Sequence, residues 1–219
     1  MHPINNNNEL NNNHAFVVGM SGSGKTSFVK KKWLKPTDQV AIYDPKREYE
    51  GMLVGRQVRS YVKLKDFASA LLAGRKTTQG FKIAYRPDEP SVTDFDNYCR
   101  VVWAAGNGRH KKPLKTINEE VAEYGSSGAG KAKGYFGKLL RLSRAYGIQT
   151  INVFQRGQEV SKTIIDNCEY ACIMKQKTPK SAKYLDELTG IPASEIALLQ
   201  KFDYILQQGS DYTVGKVKW

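Results

Sequence analysis

Three groups of residues in this chain have types and spacings that could do chemistry. Residues 19–26 read GMSGSGKT and fit G-x-x-x-x-G-K-[ST]. Glycines at 19, 22 and 24 can take positive φ. With Met20, Ser21, Ser23 and Ser27 they let main-chain N–H groups converge on a phosphate chain, while the helix that begins near Lys25 turns its positive end toward the same anion. Lys25 would reach the β- and γ-phosphates, and the Thr26 hydroxyl would ligate Mg²⁺. The second group is the acid pair Glu119–Glu120 at the end of a run 114–118. Neighbouring residues at a strand end point to opposite sides, so one acid can serve a metal's water shell and the other a water attacking the γ-phosphate. Glu119 is assigned to magnesium and Glu120 to the water; an acidic surface turn that also includes Glu123 is the plainer alternative. Gln155 closes a further strand, placed to hydrogen-bond the γ-phosphate or that water.

Such groups need a scaffold that brings several strand ends together. The apolar run 15–18 precedes the glycine loop and a helical pattern follows it, as a strand, loop and helix should. Strands are expected at 39–43, 58–62, 81–85, 114–118, 148–154 and 171–175. Helices are expected from Lys25 to Trp33 or Lys35, and over 64–73, 135–146, 160–167, 180–188 and 194–201, with one capped by Ser91 or Thr93. A hairpin turns at Gly209–Ser210. Alternating helices and buried strands give a doubly wound, mainly parallel α/β sheet with helices on both faces and a C-terminal hairpin. Residues 14–219 form one domain in this reading. Residues 1–13, with seven asparagines and almost nothing to bury, are read as a mobile tail or docking arm.

The chain has 219 residues, with 34 Lys and Arg against 21 Asp and Glu, a formal charge of +13 that favours a polyanionic partner. Cys99, Cys168 and Cys172 make no even disulfide framework and no zinc spacing. No apolar run approaches the length of a spanning helix, so no direct membrane insertion is expected. A second G-x-x-x-x-G-K, ending at Lys131, is rejected as a cradle. Ala132 stands where the hydroxyl should be, and no strand leads into it.

Four segments together resemble the FtsK/HerA superfamily of ring-forming, DNA-pumping P-loop ATPases: 19–26 as Walker A, IYDPKREYEG at 42–51 as the aspartate-bearing second strand, INEEVAEY at 117–124 as Walker B, and SRAYGIQTINVFQR at 143–156 as the basic helix, strand and sensor glutamine. Within it, the short build without membrane helices is most similar to genome-packaging ATPases of tailless, membrane-containing phages of the tectivirus type. Two departures stand out: Glu119 replaces the frequent aspartate, and the Walker B strand is unusually polar. The resemblance implies ATP and Mg²⁺ as cofactors, hydrolysis to ADP and phosphate, and a homo-oligomeric ring, a hexamer, with nucleotide at subunit boundaries. It implies an arginine from the neighbouring subunit, Arg144 first, then Arg141 and Arg156. Double-stranded DNA held without regard to sequence, with Lys131 and Lys133 of the glycine-rich loop 125–134 as contacts, and capsid or packaging-vertex proteins would be the partners. The host cytoplasm and the virion would be its locations. A P-loop kinase acting on a small molecule, or an assembly protein that binds ATP without hydrolysing it, are the rivals. An adjacent acid pair and no identifiable arginine-rich lid speak against the kinase, and no Asn-Lys-x-Asp segment reads guanine.

Overall fold

A computed structural model describes residues 2–125 and 130–218. The strands are β1 (Ala15–Val18), β2 (Gln39–Tyr43), β3 (Met52–Leu53), β4 (Arg56–Tyr61), β5 (Phe81–Tyr85), β6 (Leu114–Asn118), β7 (Ile148–Phe154), β8 (Tyr170–Met174), β9 (Asp203–Gln208) and β10 (Asp211–Lys216). They form one sheet in the order β10-β9-β8-β1-β7-β6-β2-β5-β4-β3. All neighbours from β8 to β4 are parallel, while β3, β9 and β10 pair antiparallel at the two ends.

The helices are α1 (Lys25–Phe28), α2 (Leu64–Arg75), α3 (Val92–Ala104), α4 (Val121–Tyr124), α5 (Gly134–Leu142), α6 (Lys162–Asn167), α7 (Pro179–Thr189) and α8 (Ala193–Leu198). α1 continues into a wider π turn over Val29–Trp33, and α5 into a tighter 3-10 turn over Ser143–Tyr146. The Ser91 hydroxyl accepts the Asp94 N–H and caps α3. α2 runs past its expected end at residue 73 and includes Gly74, where a Cβ would lie 2.8 Å from the Phe81 ring, so the glycine serves packing.

Strand alternation divides the core. Phe16, Val18, Ala41 and Tyr43 face the layer containing Phe67, Phe95, Tyr98 and Phe136, while Val17, Val40 and Ile42 face Phe28, Val29 and Tyr49. The first layer is strongly aromatic, with Tyr43 4.9 Å from Phe95 and 5.5 Å from Tyr98 between ring centres.

The polarity of the 114–118 strand has a structural reason. Tyr98 and Thr116 hydroxyls meet at 2.7 Å, Thr116 donates to Asn118 Oδ1 at 3.0 Å, and Asn118 Nδ2 donates to Asn152 Oδ1 at 2.9 Å. Asn152 in turn donates to Thr150 and to the Ala15 carbonyl. A fully buried polar ladder thus crosses β6, β7 and β1 with every asparagine amide engaged.

The asparagine-rich segment, expected as a mobile tail or docking arm, makes hydrogen bonds to the rest of the chain. Ile4 forms a bridge with Asn107, the Asn7 N–H donates to Ala145 O at 2.8 Å, and Asn12 reaches Asn167 O at 3.0 Å. Its amides satisfy main-chain groups at the amino-terminal edge of the sheet, where apolar burial is not needed to hold the segment. Among the described residues, no helix is long and apolar enough to cross a membrane.

Candidate nucleotide site

The carboxyl ends of β1, β7, β6 and β2 lie side by side, and the glycine loop, Glu119, Glu120, Gln155 and Arg156 follow three of these ends. After β1 the loop turns through Gly22 (φ 74°) and Gly24 (φ 110°) into α1. Gly24 is left-handed, and a Cβ there would come 2.5 Å from the Phe202 ring. Gly19, expected to use positive φ, instead is small because a Cβ would lie 2.7 Å from Ser23 Oγ and 2.9 Å from Met174 Cβ. The loop is anchored from outside by Met20 N–H to Lys175 O at 2.9 Å and by Phe202 N–H to Ser23 O at 2.9 Å.

Lys25 Nζ donates to the Gly19 and Met20 carbonyls at 2.8 and 3.3 Å, folded back on its own loop. Burial lowers its pKa, opposed by the charges of Glu119, Glu120 and Glu48. The Thr26 hydroxyl donates to Glu48. Ser23 Oγ is buried with no hydrogen-bond partner among the described residues, a polar atom left over inside the cradle.

Glu119 and Glu120 diverge as strand geometry requires. Glu119 is 5% exposed and accepts from the Tyr49 hydroxyl at 2.5 Å. Burial pushes its carboxyl up to about 8, the Tyr49 bond and Lys25 pulling the other way. Glu120 takes a left-handed backbone (φ 54°) at the start of α4 and forms an ion pair with Lys46 at 2.5 Å. Because β2 is the neighbour of β6, the loop after β2 abuts the acid pair. Buried Asp44 shapes that loop: it accepts the Glu48 and Tyr49 N–H groups and the Arg86 guanidinium, the last at 2.8 Å. Lys46, Glu48 and Tyr49, within the 42–51 segment whose loop was expected on the ligand side of the sheet, thus join the site, though none was given a role from the sequence. Their signal was positional, at the carboxyl end of a strand beside the acid-bearing one.

These residues fit a divalent cation beside Thr26: its hydroxyl already meets a carboxylate, and Glu119 is buried with acids as neighbours. Among the described residues, no group of three or more His, Cys, Asp or Glu side chains could hold a metal ion.

Gln155 follows β7, the strand lying between β1 and β6, and so stands between cradle and acid pair. Arg144 sits at the opposite, amino-terminal edge, where its guanidinium donates to Asn8 O and Leu10 O of the asparagine-rich segment. Arg141 donates to Ala132 O at 2.9 Å, and Arg156 pairs with Glu159 at 3.2 Å near the cradle edge. Lys131 and Lys133 are exposed, but Ala132 between them is buried and donates to Thr163 Oγ1 at 3.1 Å. Residues 126–129 of the expected glycine-rich loop lie outside the described residues.

Protein P9 of Pseudoalteromonas phage PM2 is 30% identical to this chain over 161 residues, which are 74% of this chain and 67% of the relative. The chain belongs to the P9 family. No family model matches the chain. Its fold is that of P-loop NTPases. The genome packaging NTPase B204 of Sulfolobus turreted icosahedral virus 2, solved with AMPPCP, superposes with a TM-score of 0.69 at 16% identity over 94% of this chain and 97% of B204. The bacterial conjugative coupling protein TrwBΔN70 gives a TM-score of 0.67 at 10% identity over 94% of this chain and 84% of TrwB. The fold neighbours therefore include the kinds of ATPase that the four motifs resemble.

Proposed function

We propose that this chain is an ATP-driven translocase that moves double-stranded DNA and packages a viral genome, acting as a ring with nucleotide at its subunit boundaries. The observation that carries the hydrolytic part is the split acid pair. One acid is buried beside Lys25 under Tyr49, and the other is turned out by a left-handed backbone at the same edge. A site built only to bind ATP needs no second acid there.

In this reading Lys25 leaves its loop carbonyls for the β- and γ-phosphates. Glu120 parts from Lys46 and holds the attacking water, and Gln155 contacts the γ-phosphate or that water. Thr26 and Glu119 hold Mg²⁺, which neutralises charge on the phosphates when bound. An arginine of the neighbouring subunit completes the site. The +13 charge, the names of the B204 and TrwB neighbours and the P9 relationship support the DNA-handling part.

The test is steady-state ATP hydrolysis with and without long duplex DNA, beside Lys25→Ala and Glu120→Gln. Turnover that rises with DNA and is lost in both variants supports the reading. ATP binding without turnover in any condition, DNA included, would replace it with an assembly protein that uses ATP as structural glue.

A further inference from the structure

The cations of this chain are unevenly placed. At the amino-terminal edge of the parallel strands, away from the cradle, residues 54–60, 74–82 and 104–115 come together around the starts of β4, β5 and β6. They contain nine Lys and Arg and no Asp or Glu, in a chain with 34 cations against 21 acids. Part of this charge is structural. Lys82 Nζ donates to Lys35 O and Asp38 O, Lys112 Nζ to Thr37 O at 2.8 Å, and Lys115 pairs with Asp38 at 2.8 Å. Arg75 is buried and donates to Ala105 O and Lys112 O.

The other five, Arg56, Arg59, Lys76, Arg109 and Lys111, are exposed, and among the described residues none of them has an acidic partner. They line two grooves. One, of about 690 Å³, runs between the C-terminal half of α2 and the outer strand β4, and carries Arg56, Arg59 and Lys82. The other, of about 600 Å³, carries Lys76, Arg109 and Lys111. Thr77 lines both, so they adjoin, and neither has a carboxylate among its lining residues.

We infer that this acid-free double groove is a phosphate-backbone contact for duplex nucleic acid, separate from Lys131 and Lys133. Cations along a concave track, interleaved with the neutral donors Gln57, Thr77, Gln79 and Asn107, match a polyanion held by phosphates and not read by base. A lipid surface would need apolar side chains to insert at the rim. Of the large apolar residues that are exposed among the described residues, only Ile4 lines either groove. Charge without an acidic partner on these side chains, of which among the described residues only Arg56 donates to a carbonyl, Pro36 O at 3.0 Å, also favours a partner that releases counterions over a neutral protein face. This inference rests on the DNA-handling reading above and adds where the duplex is held.

The experiment is fluorescence anisotropy of a short random-sequence DNA duplex with the full chain, without nucleotide, across a salt series. The variants are Arg59→Gln/Lys76→Gln, Arg109→Gln/Lys111→Gln and Lys131→Gln/Lys133→Gln. Each groove variant should weaken binding at least about tenfold at moderate salt and reduce the slope of log K against log salt by about 0.9 for each phosphate no longer neutralised. Melting temperature and DNA-free ATP hydrolysis should stay as in the parent chain. Groove variants that bind duplex as the parent does would overturn the inference alone. So would groove variants that lose only their binding to anionic lipid vesicles. A parent chain that binds no duplex at any salt would remove the DNA-handling reading itself.

Discussion

His14 makes the stability of this protein depend on pH in a defined window. The ring is 2% exposed, and its Nδ1 accepts the Thr150 N–H at 3.0 Å, which fixes the neutral form with the proton on Nε2. Burial, and then the nearby Arg144 charge, hold its pKa at about 4 in place of 6.5. A folded value below the unfolded one means that the unfolded chain takes up the proton first. The stabilisation is full above pH 6.5 and drains away as pH falls toward about 4. At about 1.4 kcal/mol per pH unit, the interval from 6.5 to about 4 corresponds to about 3 kcal/mol. Urea unfolding at several pH values, for the parent chain and His14→Asn, isolates this contribution. Asn keeps an acceptor for Thr150 N–H but does not titrate. The difference in unfolding free energy between the two should shift by about 3 kcal/mol against the parent on acidification, and NMR should find the His14 ring neutral at pH 6. A pH-independent difference, or a ring that titrates near 6.5, would refute the reasoning.

Three further outcomes follow from the geometry. Gly24→Ala should abolish ATP binding in an equilibrium titration and destabilise the chain by about 1–3 kcal/mol, since its backbone is left-handed and the new methyl meets Phe202. Asn152→Leu should cost about 1–3 kcal/mol in denaturant unfolding, because it strands the Asn118 amide in the core. Tyr49→Phe removes a hydrogen bond that favours ionised Glu119, so the Glu119 pKa, read by ¹³C NMR of the carboxyl, should rise further.

What could be seen in the sequence was what local rules govern. The strand over 114–118 was readable to the residue despite Lys115 and Asn118, because an apolar frame and an acid pair bracket it. The cradle was readable because its glycines and lysine are contiguous. The 46–49 loop was readable as lying on the ligand side, but the separate roles of Lys46, Glu48 and Tyr49 were not, since they depend on β2 lying beside β6, a fact of strand order that no local pattern carries. The docked asparagines were hidden for another reason: they hold the segment by amide hydrogen bonds, and composition records only that they bury little apolar surface. Arg144 looked free for a neighbouring subunit, yet the segment's carbonyls take it up.

The ladder from Tyr98 to Asn152 acts as a spline. In an all-apolar sheet, one strand can shift against the next and find new partners of similar shape. Here a shift of β6 along β7 would pull the Asn118 amide N–H from the Asn152 side-chain oxygen inside a dry core and leave that donor and that acceptor empty, at a cost of about 1–3 kcal/mol for each. The cradle strand, the glutamine strand and the acid strand are thus keyed into one stiff plate. The Lys46–Tyr49 loop, the Glu120 corner and the segment around Phe202 lie outside the ladder, at the rims of that plate.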